Sequence, residues 1–250
     1  MSCNRLQLNT SKTSKFFGAR RIDGNVRFLG VRFMSTKTVT PSTTVRDLGI
    51  YTDYDASMKT HVMKTVSNCF AALCQIHSVR RSVTRPVLMS LVTSLVISRS
   101  NYGNATAGLP VYLSNRLQSV LNAATRLVSL ARKYDHVTSL LQELHWLRVS
   151  QRIDYKLAVV TFRCLHGQAP PYLTESLLRT ADVDSRRHLR SAMTNSLVVP
   201  STRHSTIGNC SFAAPTSRVW NSLPSRVTSL SSLTSFKRHS KIELFTRRFI

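Results

Sequence analysis

Hydroxyls are plentiful in this 250-residue chain and histidines number eight, but few of them stand with a carboxylate or thiol at spacings that could do chemistry together. Asp53-Tyr54-Asp55 is the sharpest pair, since two carboxylates one residue apart could hold a divalent metal. A periodic segment follows at once, however, with Met58, Val62, Val66, Cys69, Leu73 and Ile76 on one face. Acidic residues in front of a helix accept hydrogen bonds from its unpaired amides and complement its dipole, so the pair reads as a helix start. Asp135-His136 and His145-Trp146 suggest general-base chemistry, yet adjacent residues in one segment do not build a triad. No strand-turn-helix elbow surrounds any Ser, and no Gly-rich loop could cradle phosphates. The five cysteines (Cys3, Cys69, Cys74, Cys164, Cys210) are odd in number and scattered, which predicts reduced thiols. Cys69 and Cys74, the only near pair, lack the further ligands of a zinc site and read as two small core residues. His145-Trp146-Leu147, His166 and Trp220 read as packing residues. No catalytic residue, metal site or cofactor is expected.

The informative chemistry is cationic. Lys and Arg number 35 against 11 Asp and Glu, a formal net charge of +24 spread along the chain. A compact state carrying that much self-repulsion calls for a polyanion, and nucleic acid is the first candidate. The phosphate-binding candidates are Arg80-Arg81, Arg126, Arg132-Lys133, Arg186-Arg187 with Arg190, Lys237-Arg238 and Arg247-Arg248. A single charge run is usually a solvated face, but runs of one sign with few acids between them are harder to dismiss. The longest apolar run, 87–97, is broken by Ser90, Thr93 and Ser94 and falls short of the ~18 residues of a membrane span. A soluble protein of a reducing intracellular compartment, nuclear or cytoplasmic, is expected, with neither membrane nor small-molecule substrate as partner. The Arg-, Lys-, Ser- and Thr-rich N-terminus has no acid before Asp23 and superficially resembles a mitochondrial transit peptide.

The elements that must position these charges are mainly helical. In 115–131, residues Leu117, Val120, Leu121, Ala124, Leu127, Val128 and Ala131 share one face, and Ser119, Asn122, Arg126, Ser129 and, just beyond, Lys133 the other. Residues 153–165 are apolar on nearly every side, as a helix at the centre of a bundle would be. Thr84 and Pro86 open another helix with Leu88, Leu91, Val92, Leu95 and Val96 as its buried stripe. A short helix is expected over 139–144, and His166-Gly167-Gln168-Ala169-Pro170-Pro171 ends the central one. Ahead of the helices, 26–33, 38–39 and 45–51 read as short strands, the last with Gly49 where another backbone approaches. Beyond Tyr172 the pattern loosens into a strand candidate at 196–200, a Pro-bracketed loop at 213–224 and a last helix at 235–249. In that helix Phe236, Ile242 and Phe245 are the apolar set.

A resemblance adds to this reading. Val45-Arg46-Asp47-Leu48-Gly49-Ile50, Ser57-Met58-Lys59-Thr60-His61-Val62, the run 117–127, Asp135-His136-Val137-Thr138, Leu144-His145-Trp146-Leu147, Gln151-Arg152-Ile153, Lys156-Leu157-Ala158, Cys164-Leu165-His166-Gly167, Ala169-Pro170-Pro171-Tyr172-Leu173 and Val219-Trp220-Asn221-Ser222-Leu223-Pro224 occur in this order. Together they resemble the C-terminal part of the reverse transcriptase of non-LTR (LINE-type) retrotransposons, of the chicken-repeat-1 or jockey-like kind. The resemblance covers essentially the whole chain. It implies that 1–55 is the end of a polymerase palm with primer-grip strands, 56–166 a thumb-like helical bundle, and 167–250 a loosely structured basic region. Asn4-Arg5-Leu6-Gln7-Leu8-Asn9 then resembles the segment after the family's catalytic Ala-Asp-Asp motif, with Lys12 at the place of the lysine near the incoming nucleotide, which displaces the transit-peptide idea. Ser139 stands where many relatives have Pro, and Ser100-Asn101-Tyr102 replaces Leu-Asp-Tyr.

The resemblance implies a truncated fragment of an RNA-directed DNA polymerase. Its magnesium-binding carboxylates would lie upstream, leaving a chain inert in polymerisation but able to hold template and primer by their phosphates. The alternatives are a host-adopted nucleic-acid-binding or interaction protein, and a relic without function. The facial assignment of 115–131 can be tested directly. Leu121→Asp should abolish the cooperative thermal transition by placing a charge in the core, whereas Ser119→Asp should leave it near the wild-type midpoint. Equal damage from both would overturn the assignment.

Overall fold

In the computed structural model, residues 19–22, 25–28, 43–55, 57–103, 109–132, 134–183, 195–201 and 212–249 are described, with the backbone alone at 19–22, 25–28 and 248–249. The chain divides into two compact units, Met1–Lys64 and Thr65–Ile250. It is mainly helical, with short antiparallel strands ahead of the helices.

In the first unit, β1 (Ala19–Ile22) pairs antiparallel with β2 (Asn25–Phe28), and β3 (Thr44–Asp47) with β4 (Ile50–Asp53). Leu48 and Gly49 make the two-residue turn of the second hairpin, with φ of 46° and 84°. Positive φ at both positions matches the turn to the right-handed twist of its strands. The single strand expected over 45–51 is therefore two strands, and Gly49 serves chain reversal instead of a close backbone approach. Residues 29–42, which carry the remainder of the expected 26–33 strand and all of 38–39, lie outside the described residues.

Asp53 caps, as its position ahead of a helix implies, whereas Asp55 holds the turn just before that helix. Asp53 Oδ2 accepts the Thr60 amide at 2.9 Å and the Ser57 hydroxyl at 3.3 Å, while its Oδ1 accepts the Thr44 hydroxyl at 3.2 Å. Asp55 Oδ1 accepts the Ser57 amide at 3.0 Å. One carboxylate thus ties both strands of the hairpin to the first turn of α1 (Lys59–Val79). Along α1, Val62, Val66, Cys69, Leu73 and Ile76 are buried as their spacing requires. Cys74 is exposed, so only Cys69 of that pair is a core residue.

In the second unit, α2 (Arg85–Val92) starts behind Thr84 with Pro86 in its first turn. It runs through a π segment (Thr93–Ile97) into α3 (Ser98–Asn101). The wider π turn inserts one residue, which rotates everything after it by about 100° relative to a continuous α-helix. Leu95, expected in the stripe, is therefore 44% exposed, and Ile97 is buried at 5% in its stead.

The amphipathic helix is α4 (Val111–Ser129), with Leu113, Leu117, Val120, Leu121, Ala124, Leu127 and Val128 buried. It begins four residues before 115, behind Pro110. It ends at Leu130, whose φ of 54° is left-handed and lets the Ala131 amide reach the Arg126 carbonyl at 3.0 Å. Ala131 therefore lies beyond the helix. The short helix α5 (Val137–Glu143) leads to α6 (Val149–Leu165).

Helix α6 is the hub, packed against α4 and against the later α7 (Pro171–Thr174), α8 (Ala213–Ser222) and α10 (Leu233–Phe249). Its first amides need acceptors, and glutamines supply them. Gln118 of α4 accepts the Val149 amide at 3.0 Å, and Gln151 accepts the Arg148 amide at 3.1 Å while its own amide nitrogen donates to the Leu244 carbonyl at 2.6 Å. At the other end Gly167 turns left-handed at φ 68° with open space around it.

The stretch after Gly167 packs more closely than the sequence pattern implies. Residues 213–224, read as a loop, contain helix α8. Pro215 falls in its first turn, where a missing amide costs no hydrogen bond, so the proline opens the helix instead of breaking it. Pro224 then precedes α9 (Ser225–Thr228). Trp220 of α8 and Phe236 of α10 are fully buried against Phe162 of α6, and Leu177, Leu197, Leu223 and Val227 complete this core. In α10 the buried series is Phe236, Ser240 and Leu244, while Ile242, one of its apolar set, is 53% exposed. At 196–200, Leu197 forms a single bridge with Arg179 in place of a strand.

Burial pushes the Asp53 carboxyl up, but hydrogen bonds from Thr60, Thr44 and Ser57 outweigh it and hold the group below its ordinary value. An acid lowered on folding contributes stability that is complete above its unfolded value of about 3.9 and is lost as pH falls through the lower folded one. The protection factor of the Thr60 amide, the intrinsic exchange rate divided by the observed rate at the same pH, should therefore fall only below about pH 4. Asp53→Ala should lower it at neutral pH by the equivalent of about 1 kcal/mol, the usual worth of a cap. Unchanged exchange in the variant would show that the cap is idle.

Candidate nucleic-acid interface

The basic residues singled out by sequence fall into three groups. Arg81, Arg132 and Arg238 are exposed, and none of their side chains makes a hydrogen bond or ion pair among the described residues. Arg81 follows α1, Arg132 follows the left-handed end of α4, and Arg238 lies on α10. Arg80 and Lys237, beside two of them, are half-buried. This first group can offer charge to an incoming phosphate without giving up an internal bond.

The second group is committed within the fold. Arg247 Nε donates to Glu243 Oε1 at 2.9 Å, and its terminal nitrogens donate to the Ser222 hydroxyl at 3.3 Å and to the Ser222 carbonyl. Arg226, not anticipated from sequence, reaches the same carboxylate, at Oε2, at 2.6 Å. Hydrogen bonds from Arg226 and Arg247 hold the Glu243 carboxyl below its ordinary value, against a small desolvation cost. Arg247 thus fastens α10 to the end of α8. Arg126 is half-buried on α4, with its Nε out of reach of water and of any partner among the described residues.

The third group, Lys12, Lys133, Arg186, Arg187 and Arg190, lies outside the described residues, as does the side chain of Arg248.

A further set of cations was hidden in the helix read as apolar. Arg152 and Lys156 stand four apart on α6, and Lys241 of α10 lies across from them, lining a cavity of about 390 Å³. Trp146 and Tyr155 contribute aromatic wall, and Ile97 and Leu147 apolar wall. Arg152 Nε donates to the Leu147 carbonyl at 2.7 Å, and Lys156 Nζ donates to the Asn101 carbonyl. Burial lowers Arg152 to about 10, and burial together with the neighbouring Arg152 charge lowers Lys156. Among the described residues no carboxylate lines the cavity. The signal was present in the sequence as two cations at i and i+4, a spacing that places them on one helical face.

Among the described residues no cluster of His, Cys, Asp or Glu could hold a metal ion, and no helix is long and apolar enough to cross a membrane. Cys69 and Cys164 are buried, and burial pushes both thiols up, away from the reactive thiolate. His166 stacks on Phe162 with ring centroids 3.9 Å apart. Compared with known proteins, the chain matches no family model, no curated protein and no solved structure.

The two kinds of arginine should separate in stability measurements. Arg247→Ala removes one of the two cations on Glu243 and the link to Ser222, and should lower stability by about 1 kcal/mol, the upper end for exposed pairs. Arg238→Ala should change it by less than about 0.5 kcal/mol. Urea titrations of both variants check this, and equal midpoints would refute the fastening role.

Proposed function

We propose that this chain binds nucleic acid through the phosphate backbone, without sequence preference. The observation that carries the reading is the excess of 35 cations over 11 acids, combined with exposed arginines that no partner engages among the described residues. Ion pairs among the described residues draw on Glu143 and Glu243, leaving most of the positive charge uncompensated. Each phosphate neutralised by such a side chain releases a condensed counterion, so affinity comes from the electrolyte and not from base edges.

The ordered series of short motifs favours a more specific version: a module like the thumb and C-terminal region of a LINE-type reverse transcriptase, holding template and primer. In that version the β3–β4 hairpin corresponds to the primer-grip region. A host-adopted binding or interaction protein is the alternative, and a preference for one sequence would favour it.

Gel-shift titrations with unrelated DNA and RNA duplexes at several salt concentrations test the proposal. A contact with ~6 to 10 phosphates should lose about a thousandfold or more in affinity between 50 and 200 mM salt. Changing Arg81, Arg132 and Arg238 together to Gln should reduce the slope of log K against log salt by up to about three, and changing Arg186, Arg187 and Arg190 to Ala should do the same. Binding that ignored salt, or that was confined to one sequence, would overturn it.

A further inference from the structure

We infer that the cavity between α6 and α10 is a nucleotide site, in which Arg152, Lys156 and Lys241 take the phosphate and the wall of Trp146 and Tyr155 takes the base. Its volume of about 390 Å³ falls within the range of about 300 to 1,000 Å³ typical of small-molecule sites. Three cations from two helices converge on it without a carboxylate among the lining residues, an arrangement that favours an anion and disfavours a neutral or cationic ligand.

The hydrogen-bonding state of these cations points the same way. The Arg152 guanidinium is held at one corner by the Leu147 carbonyl, and its two terminal nitrogens have no partner among the described residues. That fork suits two oxygens of one phosphate. Lys156 is steadied by the Asn101 carbonyl and retains further N–H donors. Asp154, the acid between them in sequence, does not line the cavity and interacts with the Arg247 charge. Like charges four apart on a helix repel, so the ligand-free helix carries a penalty that a bound anion relieves.

The opposite wall selects what accompanies the anion. Inorganic phosphate would leave Trp146, Tyr155, Ile97 and Leu147 facing water, whereas a nucleotide brings a flat apolar surface to cover them. Stacking on an aromatic face is tolerant of base identity, so discrimination among the four bases should be weak. A free nucleotide and the terminal nucleotide of a strand share this chemistry.

Trp146 makes the test direct, because the only other tryptophan, Trp220, is buried in the core. Titration of the full chain with ADP should quench tryptophan fluorescence and raise the melting temperature. Pyrophosphate should bind more weakly, and adenosine should have no effect at the same concentration. Lys241→Glu should weaken ADP binding at least tenfold. Arg163→Glu, at an exposed position of α6 that does not line the cavity, changes the net charge equally and should not weaken it. Lys156→Met, with folding checked by circular dichroism, should behave like Lys241→Glu. If a 5′-phosphorylated oligonucleotide displaces ADP and its 5′-hydroxyl counterpart does not, the occupant is a strand end; if neither does, it is a free nucleotide. No response to ADP, or equal losses in Arg163→Glu and Lys241→Glu, would overturn the site. The cavity and the outer arginines fail separately, since salt-dependent duplex binding without an ADP response removes only the site, and the reverse removes only the duplex reading.

Discussion

Phe162, Phe236 and Trp220 lie in a continuous series, with ring centroids 4.6 Å apart for the first pair and 5.7 Å for the second. Each ring comes from a different helix, so the stack holds α6, α10 and α8 at once. Large aromatic side chains dominate core energetics, and truncating one of them in a tight core typically costs about 3 to 5 kcal/mol. The surrounding polar bonds follow from this placement. Trp220 Nε1 donates to the Asn195 carbonyl at 2.6 Å, and the next residue, Asn221, accepts the Leu197 amide and donates to the Leu197 carbonyl, both at 2.8 Å. A buried indole needs an acceptor and a bridge residue needs partners, and adjacent positions on α8 meet both needs.

Helix α6 reconciles opposed demands. One side, with Ala158, Phe162 and Cys164, belongs to the aromatic core; another carries Arg152 and Lys156 into a cavity with no counter-charge among its lining residues. Burying cations in this way is unfavourable unless they are hydrogen-bonded or paired. Backbone carbonyls of Leu147 and Asn101 meet part of that requirement. The structure thus places its least comfortable charges on its most firmly packed helix, where neighbouring helices hold their stems in place.

Much of the helical framework was legible in the sequence because it rests on period alone. The buried faces of α1 and α4, the capping role of Asp53 and the stop at Gly167 all follow from local spacing and local hydrogen bonding. What the sequence concealed depends on residues far apart. Leu95 and Ile242 satisfy the helical period yet point to solvent, one because the π segment shifts the face, the other because the core of α10 follows Phe236, Ser240 and Leu244. Residues 213–224 carry a loop signature, two prolines bracketing a short stretch, and only the start of α8 at Ala213 makes Pro215 a first-turn residue instead of a breaker. For the candidate interface, the exposed arginines were found from their clustering, but commitment of Arg247 to Glu243 and Ser222 required knowing where α8 ends. The i, i+4 pairing of Arg152 and Lys156 is masked in the sequence by the apolar residues that dominate α6.

The π segment at Thr93–Ile97 ties helix length to the cavity. Ile97 lines the cavity wall, and the carbonyl of Asn101, four residues later, receives Lys156. Loss of one residue from this segment would restore a regular α-helix and swing both groups by about 100°, carrying Ile97 off the wall and the carbonyl away from the ammonium. The chain between Pro86 and Asn101 is therefore under a constraint of register as well as of residue type: point substitutions at its exposed positions are open to drift, whereas single-residue insertions and deletions are not.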